Sequence, residues 1–167
     1  MATGGSVDFN DLNDFRKKLE KTLGEDQVDL FIEACAKELA ARLLAKVIKR
    51  TPVGQYPKEA GKKGGTLRRG WTGGKSQAAS AYASSLKVNH FGDCYVIEVV
   101  NPVEYASYVE FGHRQTPGRF VPAIGKRLKQ GWVEGKFMLT ISEQEIERDA
   151  PKVIENKLKK KLGECFK

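Results

Sequence analysis

Residues that commonly carry chemistry are scarce in this chain. Its 167 residues include two histidines and three cysteines. His90 and His113 stand far apart, and no H-x-H, H-E-x-x-H or paired-carboxylate pattern occurs, so no metal ligand set is legible. Cys35, Cys94 and Cys165 are odd in number and widely spaced. Disulfide scaffolds pair their cysteines and zinc sites cluster them, so reduced thiols are expected. No phosphate-binding loop is present, and Gly64-Gly65 and Gly73-Gly74 read as linker glycines. Ser80, Ser84 and Ser85 lie in polar chain without the strand–turn–helix elbow of a serine nucleophile. A Glu110–His113 pair can do general acid–base work, but no nucleophile accompanies it. The expectation is a protein with no catalytic residue, no cofactor and no metal, hence not an enzyme. Long apolar runs are missing as well. None approaches the roughly 20 residues that span a bilayer. The opening MATGGSVDFND has neither the basic nor the apolar part of a secretory signal. Synthesis in the cytoplasm and no membrane partner are therefore expected.

What is present fits a globular domain. The chain is 40% hydrophobic and 30% charged, which is ordinary for a packed fold. Its length suits one domain, 8–167, behind a small, polar and flexible segment 1–7. The net charge of +8 is unevenly spread. Residues 41–75 hold ten Lys/Arg against the single acid Glu59, whereas residues 1–40 hold five basic and nine acidic groups. The basic segment is either a solvated loop or a surface steered towards nucleic acid or an acidic protein.

Periodicity sketches the elements. Leu12, Phe15, Leu19 and Leu23 recur at helical spacing between early aspartates and Gly24, which predicts a short helix. A long helix is predicted from about Asp26 to Arg50, with Val28, Phe31, Ile32, Cys35, Leu39, Leu43 and Val47 as its apolar stripe. Thr51-Pro52 ends it, because a residue before proline avoids helical geometry. Residues 52–80 are rich in Gly, Lys and Ser and read as a long basic loop. Ser84 to Asn101 reads as a hairpin turning at Phe91-Gly92-Asp93, its second strand apolar on both faces and so central. Residues 129–140 read as a strand or extended arm. Ser142 to Glu145 has the spacing of a capping box that opens a terminal helix, restarted at Pro151 and continued by Val153, Ile154, Leu158, Leu162 and Phe166. Lysines 157 and 159–161 complement its dipole.

Between Val103 and Phe120 the chain reads VEYASYVEFGHRQTPGRF. This is a short amphipathic helix stopped by Gly112, then a long irregular loop closing on Phe120-Val121-Pro122-Ala123. Two readings stand side by side. Tyr105, Tyr108, Val109 and Phe111 are at core-like helical spacing, and two of them are expected inside, with Glu110 and Arg114 as a weak surface ion pair. Alternatively, Tyr105, Tyr108, Glu110, Phe111, His113, Arg114 and Phe120 line a subunit boundary, since interfaces favour aromatics and Arg. A second candidate surface is Lys62, Lys63, Arg68 and Arg69 around Trp71, a basic and aromatic grouping of the kind that tracks a phosphate backbone.

The box from Tyr105 to Arg114, Y-A-S-Y-V-E-F-G-H-R, with its Phe120 to Ala123 return, resembles a family of small tailed-phage proteins. Those proteins are the tail-completion or head–tail joining proteins of the neck. Their members commonly read T-P-V-D-T-G-x-L-R-x-S/G-W after a long helix. Here Thr51-Pro52-Val53-Gly54 and Gly65-Thr66-Leu67-Arg68-Arg69-Gly70-Trp71 match at both ends, around an inserted GQYPKEAGKKG. The family position of Trp71 is a core position. The Gly135–Glu143 stretch looks like that of members from Gram-positive prophages.

The resemblance implies an α+β fold, a small antiparallel sheet on a long N-terminal helix, with a C-terminal helix and long assembly loops at 52–80 and 112–131 that order against neighbours. It implies a structural virion protein at the head-proximal end of a phage tail, a sixfold ring that completes the tail and joins the head connector. Its partners are then itself and neighbouring neck, connector and tail proteins, with non-specific contact to DNA in the channel. The alternative is a basic nucleic-acid-binding module. Deleting 55–64 is expected to leave a folded subunit that joins poorly; normal particle yield from the deletion mutant would contradict this.

Overall fold

The computed structural model describes residues 3–5, 24–56, 61, 63–92, 94–122 and 125–165. The short helix expected around Leu12–Leu23 lies outside them. The long helix α1 (Glu25–Arg50) is the spine. All seven apolar residues of its expected stripe are buried, and Ala40 and Leu44 widen the stripe. That buried face meets two groups of partners. Val28, Phe31, Ile32 and Cys35 pack with Tyr95, Ile154 and Leu158. Leu39, Leu43, Leu44 and Val47 join Leu67, Trp71, Ala83, Val99, Ala106, Met138, Leu139 and Ile146 in the larger core. Burial pushes the Cys35 thiol up to about 11, so it behaves as a small hydrophobe.

The segment 52–80 corrects the expectation of a structureless loop. It carries α2 (Thr66–Gly70) and α3 (Ala79–Ser85), the latter packed along α1. Each is too short for helical periodicity to register, yet Leu67, Trp71 and Ala83 are buried. The two matched ends of the T-P-V…L-R-R-G-W pattern meet in space. Thr51 ends α1 with its amide and hydroxyl both donating to the Val47 carbonyl, at 2.9 and 2.7 Å. The Thr51 hydroxyl accepts the Trp71 indole N–H at 2.8 Å. The Thr51 carbonyl accepts the Arg68 guanidinium at 2.7 Å. Orphan groups at the helix end are thereby satisfied, as burial demands. Asn101, fully buried, ties α2 to the sheet by donating to the Leu67 carbonyl at 2.9 Å.

The strands form separate antiparallel pairs, where one small sheet was expected. β1 (Thr3–Gly5) pairs with β4 (Val99–Asn101), so residues 3–5 are structured where a flexible segment was expected. β2 (Asn89–Phe91) and β3 (Cys94–Val96) form a hairpin at the expected turn. It is short, and β3 is a peripheral strand with Cys94 and Val96 exposed; the expected doubly covered central strand is not found. Its inward Tyr95 hydroxyl donates to Asp29 of α1.

After β4 come α4 (Ala106–Phe111), β5 (Gly112–Arg114), β6 (Phe120–Val121), β7 (Lys126–Arg127), β8 (Trp132–Glu134) and α5 (Met138–Cys165). Residues 129–140 thus hold one strand and the start of the terminal helix. That helix opens four residues before the expected capping box and runs through Pro151 without a restart. Ser142 and Glu145 have other work. Ser142 is buried and donates to the Met138 carbonyl, while accepting Arg50 at 2.9 Å. Glu145 bridges the two long helices, 2.5 Å from Arg50 and 2.7 Å from Lys46. Lys157 likewise turns to α1, donating to the Ala34 carbonyl at 2.6 Å and to Glu38 at 3.1 Å.

Hydrogen bonding to Arg50, then to Lys46, holds the Glu145 carboxyl down to about 2. A carboxyl depressed in the fold stabilises above its ordinary range near 4.5, and that stability is lost as pH falls towards 2. We expect the wild type to be more stable than Glu145→Gln at pH 7, with the two converging between about pH 4.5 and 2 in denaturant titrations. A gap that persists unchanged at pH 2 would refute the bridge's role.

Candidate functional site

Helix α4 has two unlike faces. Ala106 and Glu110 are buried and Val109 packs on the core, whereas Tyr105, Tyr108 and Phe111 are 44%, 58% and 52% exposed. Spacing of three residues places those aromatics along one outward stripe. Two of Tyr105, Tyr108, Val109 and Phe111 were expected inside; of the four only Val109 packs inward, which corrects the expectation. A small Ala and a carboxylate take the inward positions instead. The stripe does not end with the helix. The Phe111 ring meets Phe137 edge-on at 6.5 Å, and Ile141 follows Phe137 by one helical turn, also exposed. Trp132, half exposed, borders Gly112.

Glu110 is 1% exposed, so it is neither a surface partner for Arg114 nor a boundary residue. Its carboxylate accepts the amides of Leu139 at 3.0 Å and Thr140 at 2.9 Å, and the Thr140 hydroxyl at 2.9 Å. These are first-turn N–H groups of α5, which lack intrahelical acceptors and sit at the positive end of the dipole. Phe137 precedes the helix and cannot cap it with an aromatic ring. It also stands at φ 46, the left-handed region, which is strained for a bulky residue. Neighbouring backbone holds it there: its amide donates to the Glu110 carbonyl at 3.0 Å, and the Lys136 amide donates to Val109 at 2.8 Å. Glu143 lies in the same region. Burial, then the charge of Glu110, raises its carboxyl above the usual range.

Gly112 and Gly135 make this junction possible. Gly112 has φ 85, and a Cβ there would sit 2.4 Å from the Val133 carbonyl. A Cβ at Gly135 would sit 2.3 Å from the Glu110 carbonyl. Neither position admits a side chain. From Gly112 the chain leaves as a two-stranded ribbon, where an irregular loop was expected. β5 pairs with β8 and β6 with β7. Between them Gln115 donates to Gly131 at 2.9 Å and Gly118 to Leu128 at 2.8 Å. Arg114 and Phe120 are exposed on this ribbon. His113 is half-buried at its root, edge-on to Tyr108 and 3.2 Å from the Gln115 amide nitrogen.

Of the other expected surface, the structure describes four residues. Lys62 lies outside the described residues, and Lys63 is exposed. Trp71 is 1% exposed and hydrogen-bonded inside, and Arg68 is committed to Thr51. Arg69 donates to the Gly64 carbonyl at 3.4 Å. The Trp71 indole is therefore not available for stacking a base. Sequence reasoning missed Trp132, Phe137 and Ile141, which extend the aromatic stripe. It also passed over the ribbon's charge, although the stretch from Phe111 to Val133 contains no acid and five Lys/Arg.

Comparison with known families matches residues 13–112 to the model described as "Bacteriophage HK97-gp10, putative tail-component". The match spans α1, the Thr51–Trp71 pattern and α4, and ends at Gly112 inside the Tyr105–Arg114 box. Searches of the curated proteins and of the solved structures return no match.

Replacing Glu110 tests the junction. Glu110→Ala strands two amides and a hydroxyl, and is expected to cost about 3 kcal/mol of unfolding free energy, with Glu110→Gln costing less. Denaturant melts would rule out the cap if the alanine variant stayed within about 0.5 kcal/mol of wild type.

Proposed function

This chain belongs to the HK97-gp10-like family of bacteriophage tail components, and from that premise we propose that it is a subunit of a ring closing the head-proximal end of the tail. Its role in the virion is structural. In the proposed assembly it docks on copies of itself, on the head connector side and on the tail side, and no bond is made or broken. The sixfold order follows the proteins it resembles.

The observation that carries this reading is the outward aromatic stripe. Tyr105, Tyr108 and Phe111 continue into Phe137 and Ile141, all at least 40% exposed. Contiguous apolar surface of this kind marks an interaction site. Aromatics give interfaces much of their binding energy at low entropic cost. The stripe rests on a rigid base, since Glu110 locks α4 to α5 beneath it. A patch that meets a different patch on the next copy is heterologous, and such contacts close into rings when the rotation allows.

The test is the double variant Tyr108→Glu, Phe111→Glu. Both side chains point away from the core, so its thermal melt should match wild type. Its mass in solution should remain that of a monomer at concentrations where wild type assembles, and heads and tails should stay unjoined in an infection complemented with it. Rings or joined particles formed as readily as with wild type would exclude this face.

A further inference from the structure

We propose that the ribbon 112–134 is a contact arm for the phosphate backbone of duplex DNA. Arg114, Arg119, Lys126, Arg127 and Lys129 are all exposed on it. None of the five takes part in an ion pair among the described residues, although Arg127 also donates to the Gly118 carbonyl at 2.7 Å. Elsewhere the cations are often spoken for: Lys46, Arg50 and Lys157 are tied to acids of the opposite long helix, and Arg42 and Lys159 to acids one turn away. Glu134, at the root, is the one acid of the arm.

The geometry adds a second argument. Register places Arg114 directly opposite Trp132, and Arg127 directly opposite Phe120. Both aromatics are about half exposed, at 51%. Cation and apolar ring thus alternate across one narrow antiparallel strip. Such a strip can set its cations on phosphates and its apolar rings on the intervening sugars. A two-stranded ribbon also fits the width of the DNA major groove. Of its two glutamines Gln115 is turned to His113, and the contact proposed is with phosphate, independent of sequence and driven by counterion release. An acidic protein surface would also satisfy the charges, and the polyglutamate competition below distinguishes the two.

The inference does not depend on ring formation, because a single subunit presents the whole arm. It is tested by fluorescence anisotropy with a labelled 30-base-pair duplex, using wild type and two fourfold alanine variants. One variant neutralises Arg119, Lys126, Arg127 and Lys129; the other neutralises the exposed Lys49, Lys63, Lys75 and Lys87 at equal net charge. Melting curves confirm that both fold. Wild type should weaken by roughly several hundred-fold between 50 and 200 mM salt, as expected for about five phosphate contacts. The arm variant should lose most of that affinity and of its salt slope, while the control variant keeps most of both. Equal losses in the two variants would overturn the proposal, since charge alone would then account for binding. So would an absence of binding by wild type at 50 mM salt, or equally tight binding of polyglutamate in competition.

Discussion

A single buried carboxylate holds the functional end of this molecule together. Glu110 projects from a helix of six residues and closes the first turn of a helix of 28. Without it, α5 would begin at a left-handed Phe137 with no side chain able to take its free amides. With it, three parts are pinned at one point: the aromatic stripe of α4, the root of the ribbon at Gly112 and Gly135, and the start of the helix that packs along α1. Burying a charge is favourable only when its hydrogen bonds are made, and here three are.

The two surfaces that leave this junction differ in character. The stripe is apolar, rigidly backed and continuous between α4 and α5, which suits a permanent contact between subunits. The ribbon is thin and mixes exposed cations with the half-exposed Phe120 and Trp132. Two-stranded ribbons of this kind have little stability of their own, so its order rests on the Gly112–Gly135 crossing and the Glu110 cap beneath. The proposed surfaces for assembly and for a polyanion are thus adjacent but separate.

The sequence was legible where packing repeats. Val28 to Val47 announce α1, because each turn delivers a residue to the same face. It was opaque where a residue's partner is remote. Glu110 reads as a surface acid until the amides of Leu139 and Thr140, about 30 positions later, are brought to it. Glu145 reads as part of a capping box until Arg50 arrives from the opposite helix. Trp71 amid arginines suggests a stacking platform, yet Thr51 draws it inward. Short helices such as α2 and α3 escape notice because five to seven residues give periodicity too few samples. The ribbon escaped because Gly and Pro signal irregularity, although here they shape its turns.

The knot of Thr51, Arg68 and Trp71 has an evolutionary corollary. It anchors both banks of the stretch inserted between Val53 and Gly65, so the domain is tied together on either side of the insertion. The entropy of closing such a span grows only with the logarithm of its length. A change in its length should therefore cost the domain little, and variation among relatives is expected to collect there.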